Sequence, residues 1–288
     1  MVLKIKVPAT SANLGPGFDS LGIAVDCYLT LIVEEKTSKW EVIHEMGRIP
    51  HDKRNMIVET ALKLAPGLSP HRLRVVSEIP LARGLGSSSS AIVAGIELAD
   101  RLGNLQLSLE EKVQFATELE GHPDNVAPAI LGGFVASTYT EGKAISVKLN
   151  FPKVALVAYV PQEPLLTSKS REVLPQRLSF KKAVAGSSIA NTLIGALLTN
   201  QLDKVKFLLE KDQFHEGYRR KLVPDLDKIR KIAQNYRTYG TYLSGAGPTV
   251  MTLVAFEDKF LFVQALNRQL KFGEALTLNC VEQGLQIS

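Results

Sequence analysis

The chain has 288 residues, 45% hydrophobic and 22% charged, which is enough for one large or two modest cores and carries no signature of disorder. Its 34 Lys and Arg against 29 Asp and Glu give a formal charge of +5. These residues are scattered rather than gathered into a stripe, which argues against nucleic acid and fits attraction of small anions.

Alternating apolar residues predict strands over 3–9, 24–35, 40–45 and 73–79, with a short helix over 56–65. Ile92, Ile96, Ala99 and Leu102 recur at helical spacing, so a helix begins in the Ser87–Ser90 run. Ser108 followed by Glu111 is a capping box and predicts a helix running to Glu120. A His122-Pro-Asp-Asn break, a short apolar segment over 126–131 and Gly132-Gly133 then lead to a hairpin over 134–139 and 145–149. After the turn at Asn150-Phe-Pro152, an apolar strand over 154–160 opens a second domain, dividing the chain into 1–152 and 153–288. The remainder predicts helices over 180–199, 202–210, 226–235 and 259–270, and strands over 241–243, 250–255 and 275–281. This interleaving without regular βαβ order is α+β. No stretch of about 18 uncharged apolar residues occurs, so no membrane partner is expected. Cys27 and Cys280 form no CxxC and the five His form no HxxxH pair, which fits a cytoplasmic protein with two free thiols.

The run Pro80-Leu-Ala-Arg-Gly-Leu-Gly-Ser-Ser-Ser-Ser90 is the most informative. Gly84 and Gly86 permit a tight turn, and the serines fall at a helix N-terminus, where free N–H groups favour an anion. Alone, the run reads equally as a capped helix start. Gly86 is followed by Ser87 rather than Lys, which excludes a Walker loop, and Ser89 stands where a dinucleotide fingerprint needs Gly. No Gly-x-Ser-x-Gly elbow is present.

Two further turns accompany it: Pro8-x-x-x-x-Asn13-Leu-Gly-x-Gly17-Phe-Asp19 near the start and Ser244-Gly-x-Gly-Pro-Thr249 near the end. With Pro80-x-x-x-Gly84-Leu-Gly-Ser-Ser88 between them, the three resemble, in order, the signature of the GHMP kinases. Four segments narrow the resemblance to the homoserine kinase branch: Thr10-Ser-Ala-Asn-Leu-Gly15, His122-Pro-Asp-Asn-Val-Ala-Pro128, Thr167-Ser-Lys-Ser-Arg-Glu-Val-Leu-Pro175, and His215-Glu-Gly-Tyr-Arg219 with Leu222-Val-Pro224. The galactokinase opening is missing. Another GHMP kinase, acting on shikimate or a mevalonate-pathway alcohol, is the alternative.

The resemblance implies an N-terminal α+β domain with a left-handed βαβ unit and a C-terminal ferredoxin-like domain, with the active site between them. It implies ATP and Mg²⁺ as cofactors, L-homoserine as the second substrate, a role in threonine biosynthesis, and compatibility with a homodimer. ATP would be held by Pro80, Leu81, Ala82, Arg83, Gly84, Leu85, Gly86, Ser87, Ser88 and Ser89, with Asn55 at the adenine. Ser88 and Glu118 would take the metal, with Glu120 a rival to Glu118. Asn13, Asp19, Asp124, Asn125, Arg171, Arg219 and Gly245 would surround homoserine, and Thr167 the transferred phosphoryl group. The chemistry agrees, because a guanidinium fork suits an α-carboxylate and a carboxylate suits an α-ammonium. Asn125 stands where related kinases carry an Asp base, and an amide is not basic. Alignment and charge stabilisation are therefore expected to carry catalysis, with Asp124 as the adjacent carboxylate.

Overall fold

The computed structural model describes residues 2–288. Strands β1 (Leu3–Ala12), β2 (Leu21–Lys36) and β3 (Glu41–Ile43) are followed by α1 (Met56–Leu64) and β4 (His71–Ser77). Helices α2 (Ser87–Gly103), α3 (Leu109–Glu120) and α4 (Pro123–Leu131) then precede the hairpin β5 (Phe134–Thr140) and β6 (Lys143–Leu149). The second half runs β7 (Ala155–Pro161), α5 (Thr167–Glu172), α6 (Phe180–Leu198), α7 (Leu202–Leu209), α8 (Glu216–Arg219) and α9 (Asp225–Ala233). It ends with β8 (Thr238–Leu243), β9 (Val250–Val254), α10 (Lys259–Gln269), β10 (Gly273–Leu278) and β11 (Gln286–Ile287).

The first sheet has seven strands in the order β11-β1-β2-β4-β3, with β5 and β6 branching from β2. At 16 residues, β2 is long enough to take two partners along one edge, β5 at Leu21–Ile23 and β4 from Leu29 onward. Residues 279–281 fill the interval between them: Val25 bridges Cys280, the Asp26 N–H donates to Asn279 O at 3.1 Å, and the Val281 N–H donates to Ala24 O at 3.0 Å. The chain then adds β11 beside β1. Residues after 278, which the sequence division at 152 places in the second half, thus join the sheet of the first. The apolar 275–281 segment belongs to both: β10 ends at Leu278, and the following residues have already crossed.

The second sheet is antiparallel throughout, in the order β10-β7-β9-β8. Numbered along the chain this is 4-1-3-2, with α9 and α10 packed on it, the ferredoxin-like arrangement. The apolar run in β7 has a physical reason. Leu156 and Ala158 face the core shared with the first sheet, while Val157 and Tyr159 face α9 and α10, so both faces of the strand are buried.

One local prediction shifts. The segment expected over 126–131 is a helix from Pro123, because Pro at its first position costs no hydrogen bond. The short α5 and α8 had no periodic signal. Cys27 and Cys280 are free and half-buried, and burial pushes their thiols up to about 11 and about 12 respectively.

Helices α2 and α3 are joined by a buried charge cluster. Lys112 Nζ lies 2.5 Å from Glu97 Oε2 and 2.7 Å from Asp100 Oδ2. Burial works against the Asp100 carboxylate, yet Lys112 and the Leu107 N–H hold it below its usual range. Lys112→Ala leaves two buried carboxylates facing each other, and is expected to lower unfolding free energy by about 3–5 kcal/mol in urea titration. A loss under about 1 kcal/mol would mean that the cluster is wetter than its burial implies.

Candidate active site

A cleft of about 540 Å³ opens where the first sheet's turns meet α2, α4, α5, α8 and the β8–β9 turn. At one end α2 presents its N-terminus. Its cap, Gly86, has φ 69°, and no side chain caps the helix or places an acid in its first turn. Free N–H groups and the positive dipole end therefore face the cleft. A Cβ on Gly86 would lie 2.0 Å from Thr10 Oγ1, so the turn requires glycine on two counts. The β8–β9 turn braces this loop: Ser244 Oγ donates to Gly84 O at 2.6 Å, and the Thr249 N–H donates to Arg83 O at 3.1 Å.

Leu81, Ala82, Arg83, Gly84, Gly86, Ser87, Ser88 and Ser89 line the cleft, as do Asn55, Thr167 and Gly245. Pro80 and Leu85 do not. Pro80 faces a separate surface groove, and Leu85 is buried, with its carbonyl accepting the Thr10 N–H at 3.2 Å. The Arg83 guanidinium is already engaged, with Nε donating to Pro161 O at 2.8 Å and Nη1 to Leu81 O at 2.9 Å. It clamps the loop to the end of β7. Asn55 caps α1, its Oδ1 accepting the Ile57 N–H at 3.1 Å while Nδ2 donates to Pro50 O at 2.9 Å.

The expected metal pair, Ser88 with Glu118, is not brought together. Glu118 is exposed outside the cleft and accepts from Gln114 Nε2 at 2.6 Å; Ser88 Oγ points to Met56 Sδ at 3.4 Å. Glu120 lines the cleft instead and accepts from Ser89 Oγ at 2.9 Å. The reason is helical phase. The buried face of α3 carries Val113, Ala116 and Thr117, and Glu120 lies seven, four and three residues beyond them, whereas Glu118 falls on the opposite side. Burial raises the Glu120 carboxyl above its ordinary range, against the pull of His122 and Ser89.

Asp124 and Asn125 sit in the first turn of α4. Thr10 Oγ1 donates to Asn125 Oδ1 at 2.8 Å. His122 Nδ1 lies 2.6 Å from Asp124 Oδ1. Burial opposes charge on His122, but Asp124 outweighs it and raises the imidazole above its ordinary value. Asp19, His122 and Asp124 cluster closely enough to share a cation, although Asp19 is already paired with Arg171.

At the far end, Arg171 grips Asp19 through both nitrogens, at 2.7 and 3.1 Å. Asp19 and Asn13 are held at φ 55° and 73°, and Asn13 links them: its Oδ1 accepts the Asp19 N–H at 3.0 Å and its Nδ2 donates to Gly245 O at 2.9 Å. Such left-handed non-glycine positions are costly and concentrate at functional sites. Arg219 is 1% exposed and has no carboxylate partner among the described residues. Burial, with Arg171 nearby, pushes it down to about 10. Phe18 lies under both guanidinium groups, 5.6 Å from Arg171 and 5.3 Å from Arg219.

Sequence reasoning missed Phe18 as a platform, although it stood inside the first motif. It also missed the apolar wall of Met46, Ile49, Met56, Ile57 and Leu165, which comes from loops and helix starts without periodicity. No helix among the described residues is long and apolar enough to cross a membrane.

Residues 55–133 match the N-terminal domain of the GHMP kinases, and residues 193–271 match the family's C-terminal domain. Homoserine kinase of Enterococcus faecalis is 52% identical over 99% of this chain and 100% of its own length. Homoserine kinase of Streptococcus gordonii is 51% identical over 99% of each. The solved homoserine kinase of Cytophaga hutchinsonii superposes with a TM-score of 0.86 at 27% identity, covering 100% of this chain and 97% of that one. Mevalonate kinase of Methanococcus jannaschii, at 17% identity and a TM-score of 0.71 over 97% and 98%, shares the fold. An uncapped helix start at one end of the cleft and paired charges at the other accompany these full-length matches, and the chain belongs to the homoserine kinase family of the GHMP kinases.

Proposed function

We propose that this chain transfers the terminal phosphoryl group of ATP to the hydroxyl of L-homoserine, giving O-phospho-L-homoserine and ADP. The observation that carries this reading is the pairing of Asp19 with Arg171 beside the carboxylate-free Arg219. A zwitterionic amino acid exchanges into such a pair at no net cost in charge, its ammonium meeting Asp19 and its carboxylate meeting Arg171 and Arg219. The phosphates of ATP take the N–H groups of the 84–89 loop, and the base lies on the apolar wall.

The donor set fits Mg²⁺. Glu120 and Ser89 would supply hard oxygen ligands, and the half-buried Glu120 carboxylate lacks a full counter-charge. When bound, the ion neutralises charge on the phosphates.

Transfer forms a bond from the homoserine oxygen to the γ-phosphorus and breaks the bond to the ADP oxygen, the hydroxyl proton passing to the phosphoryl group or to water. The Asn125 amide orients the hydroxyl, and its own orientation comes from Thr10. Since one Asp124 oxygen is held by His122, we expect Asp124→Asn to lower kcat about tenfold through misalignment. A loss of about 10³ or more with substrate affinity intact would make Asp124 the general base instead. Coupled ADP release tests the whole reading. Turnover with homoserine and none with shikimate or mevalonate is expected; no ADP release with homoserine would sink it.

A further inference from the structure

His215 is fully buried at the start of α8, outside the cleft, and donates or accepts at both ring nitrogens. Nδ1 lies 3.0 Å from Arg219 Nη1, and Nε2 lies 2.9 Å from Gly15 O. An arginine offers only donors, so Nδ1 must carry its lone pair. A carbonyl offers only an acceptor, so Nε2 must carry the proton. The two contacts together fix one neutral tautomer. The ring also stacks on Phe18, with centroids 5.1 Å apart and planes 21° apart. Asp212 holds the backbone in place by accepting the His215 and Glu216 N–H groups, each at 2.7 Å.

The consequence for Arg219 follows from counting its donors. Nε goes to Ser170 O at 3.0 Å, and Nη1 divides between Gly245 O at 3.1 Å and His215 Nδ1. Nη2 has no protein partner among the described residues, and Arg219 lines the cleft. Without an acceptor at residue 215, one Nη1 hydrogen would lose its partner inside the protein. The guanidinium would then be held only through Ser170 O and Gly245 O, and could tilt to bring Nη1 fully onto Gly245 O, drawing the Nη2 edge away from the cleft.

We propose that His215 is a positioning residue for the amino-acid substrate, acting as the neutral acceptor that turns the free edge of Arg219 toward the α-carboxylate. This rests on the reading of Arg219 as a carboxylate ligand. A matched pair of substitutions separates the two contacts. Asn places an amide oxygen where Nδ1 lies and keeps the Arg219 acceptor; Gln places an amide nitrogen where Nε2 lies and keeps only the tie to Gly15. Both lose the stacking on Phe18 equally.

Steady-state kinetics and calorimetric titration of homoserine on His215→Asn, His215→Gln and Arg219→Gln test this. Loss of a hydrogen bond to a charged group predicts that His215→Gln raises the KM and Kd for homoserine about tenfold, with KM for ATP unchanged. His215→Asn should stay within about threefold of the parent protein. Equal effects in the two variants, or a change confined to thermal stability, would overturn the role of His215 even where Arg219→Gln weakens homoserine. If Arg219→Gln leaves homoserine affinity unchanged, the underlying assignment of Arg219 fails, and the proposal fails with it.

Discussion

Glu120→Gln is expected to lower kcat by about two to three orders of magnitude, while Glu118→Gln stays within about twofold. The two residues lie on one helix, two positions apart. Glu118 is exposed and bonded to Gln114; Glu120 is half-buried and accepts from Ser89 in the first turn of α2. Kinetics at varied Mg²⁺ reads the difference: the Glu120 variant should need far more metal for half-maximal rate, and the Glu118 variant should not. The ligand-free Glu120→Gln protein should also melt no lower than its parent, because burial already works against that carboxylate. A larger kinetic loss at Glu118 would return the metal role to it.

Gly86→Ala should destabilise the protein by about 2–4 kcal/mol, combining a left-handed backbone with a crowded Cβ. The atom in the way is Thr10 Oγ1, at 2.0 Å. To make room, Thr10 must turn and release Asn125, so turnover falls together with stability. Thr10→Ala alone should cost about 1–2 kcal/mol, the ordinary cost of losing a buried hydrogen bond. Combined with Gly86→Ala, it removes the obstructing oxygen, and urea unfolding should find the double variant more stable than the sum of the single losses by about 1 kcal/mol or more. Strict additivity would show that the alanine is accommodated elsewhere.

Much of this was legible in the sequence because strong local signals survive folding. The β2 alternation, the Ser108 capping box and the Gly132-Gly133 hairpin all appear close to where the pattern put them. Of the three motif turns, all converge on one cleft, since each is a tight connection that a sheet or helix end must deliver to a common edge. Sequence and structure part where placement depends on helical phase or on distant parts of the chain. The 113/116/117/120 spacing in α3 already turns Glu120 rather than Glu118 toward the cleft, but a single acid at a helix end reads as solvated until the buried stripe is extended through it. Arg83 sat inside a phosphate motif, and nothing in its neighbours indicates that Pro161 would claim its guanidinium. Likewise β11, two residues long, has no pattern of its own and exists only because β1 is there to receive it.

That last pairing bears on the order in which the molecule can be completed as it is made. Residues 279–287 emerge after every other strand, yet they close the β2 interval and cover β1 in the sheet that began the chain. The earliest-made sheet therefore waits on the ribosome with part of its edge open until the later body has been threaded past it. Nascent chains stalled before residue 279 should be markedly more protease-sensitive at 24–26 than released ones.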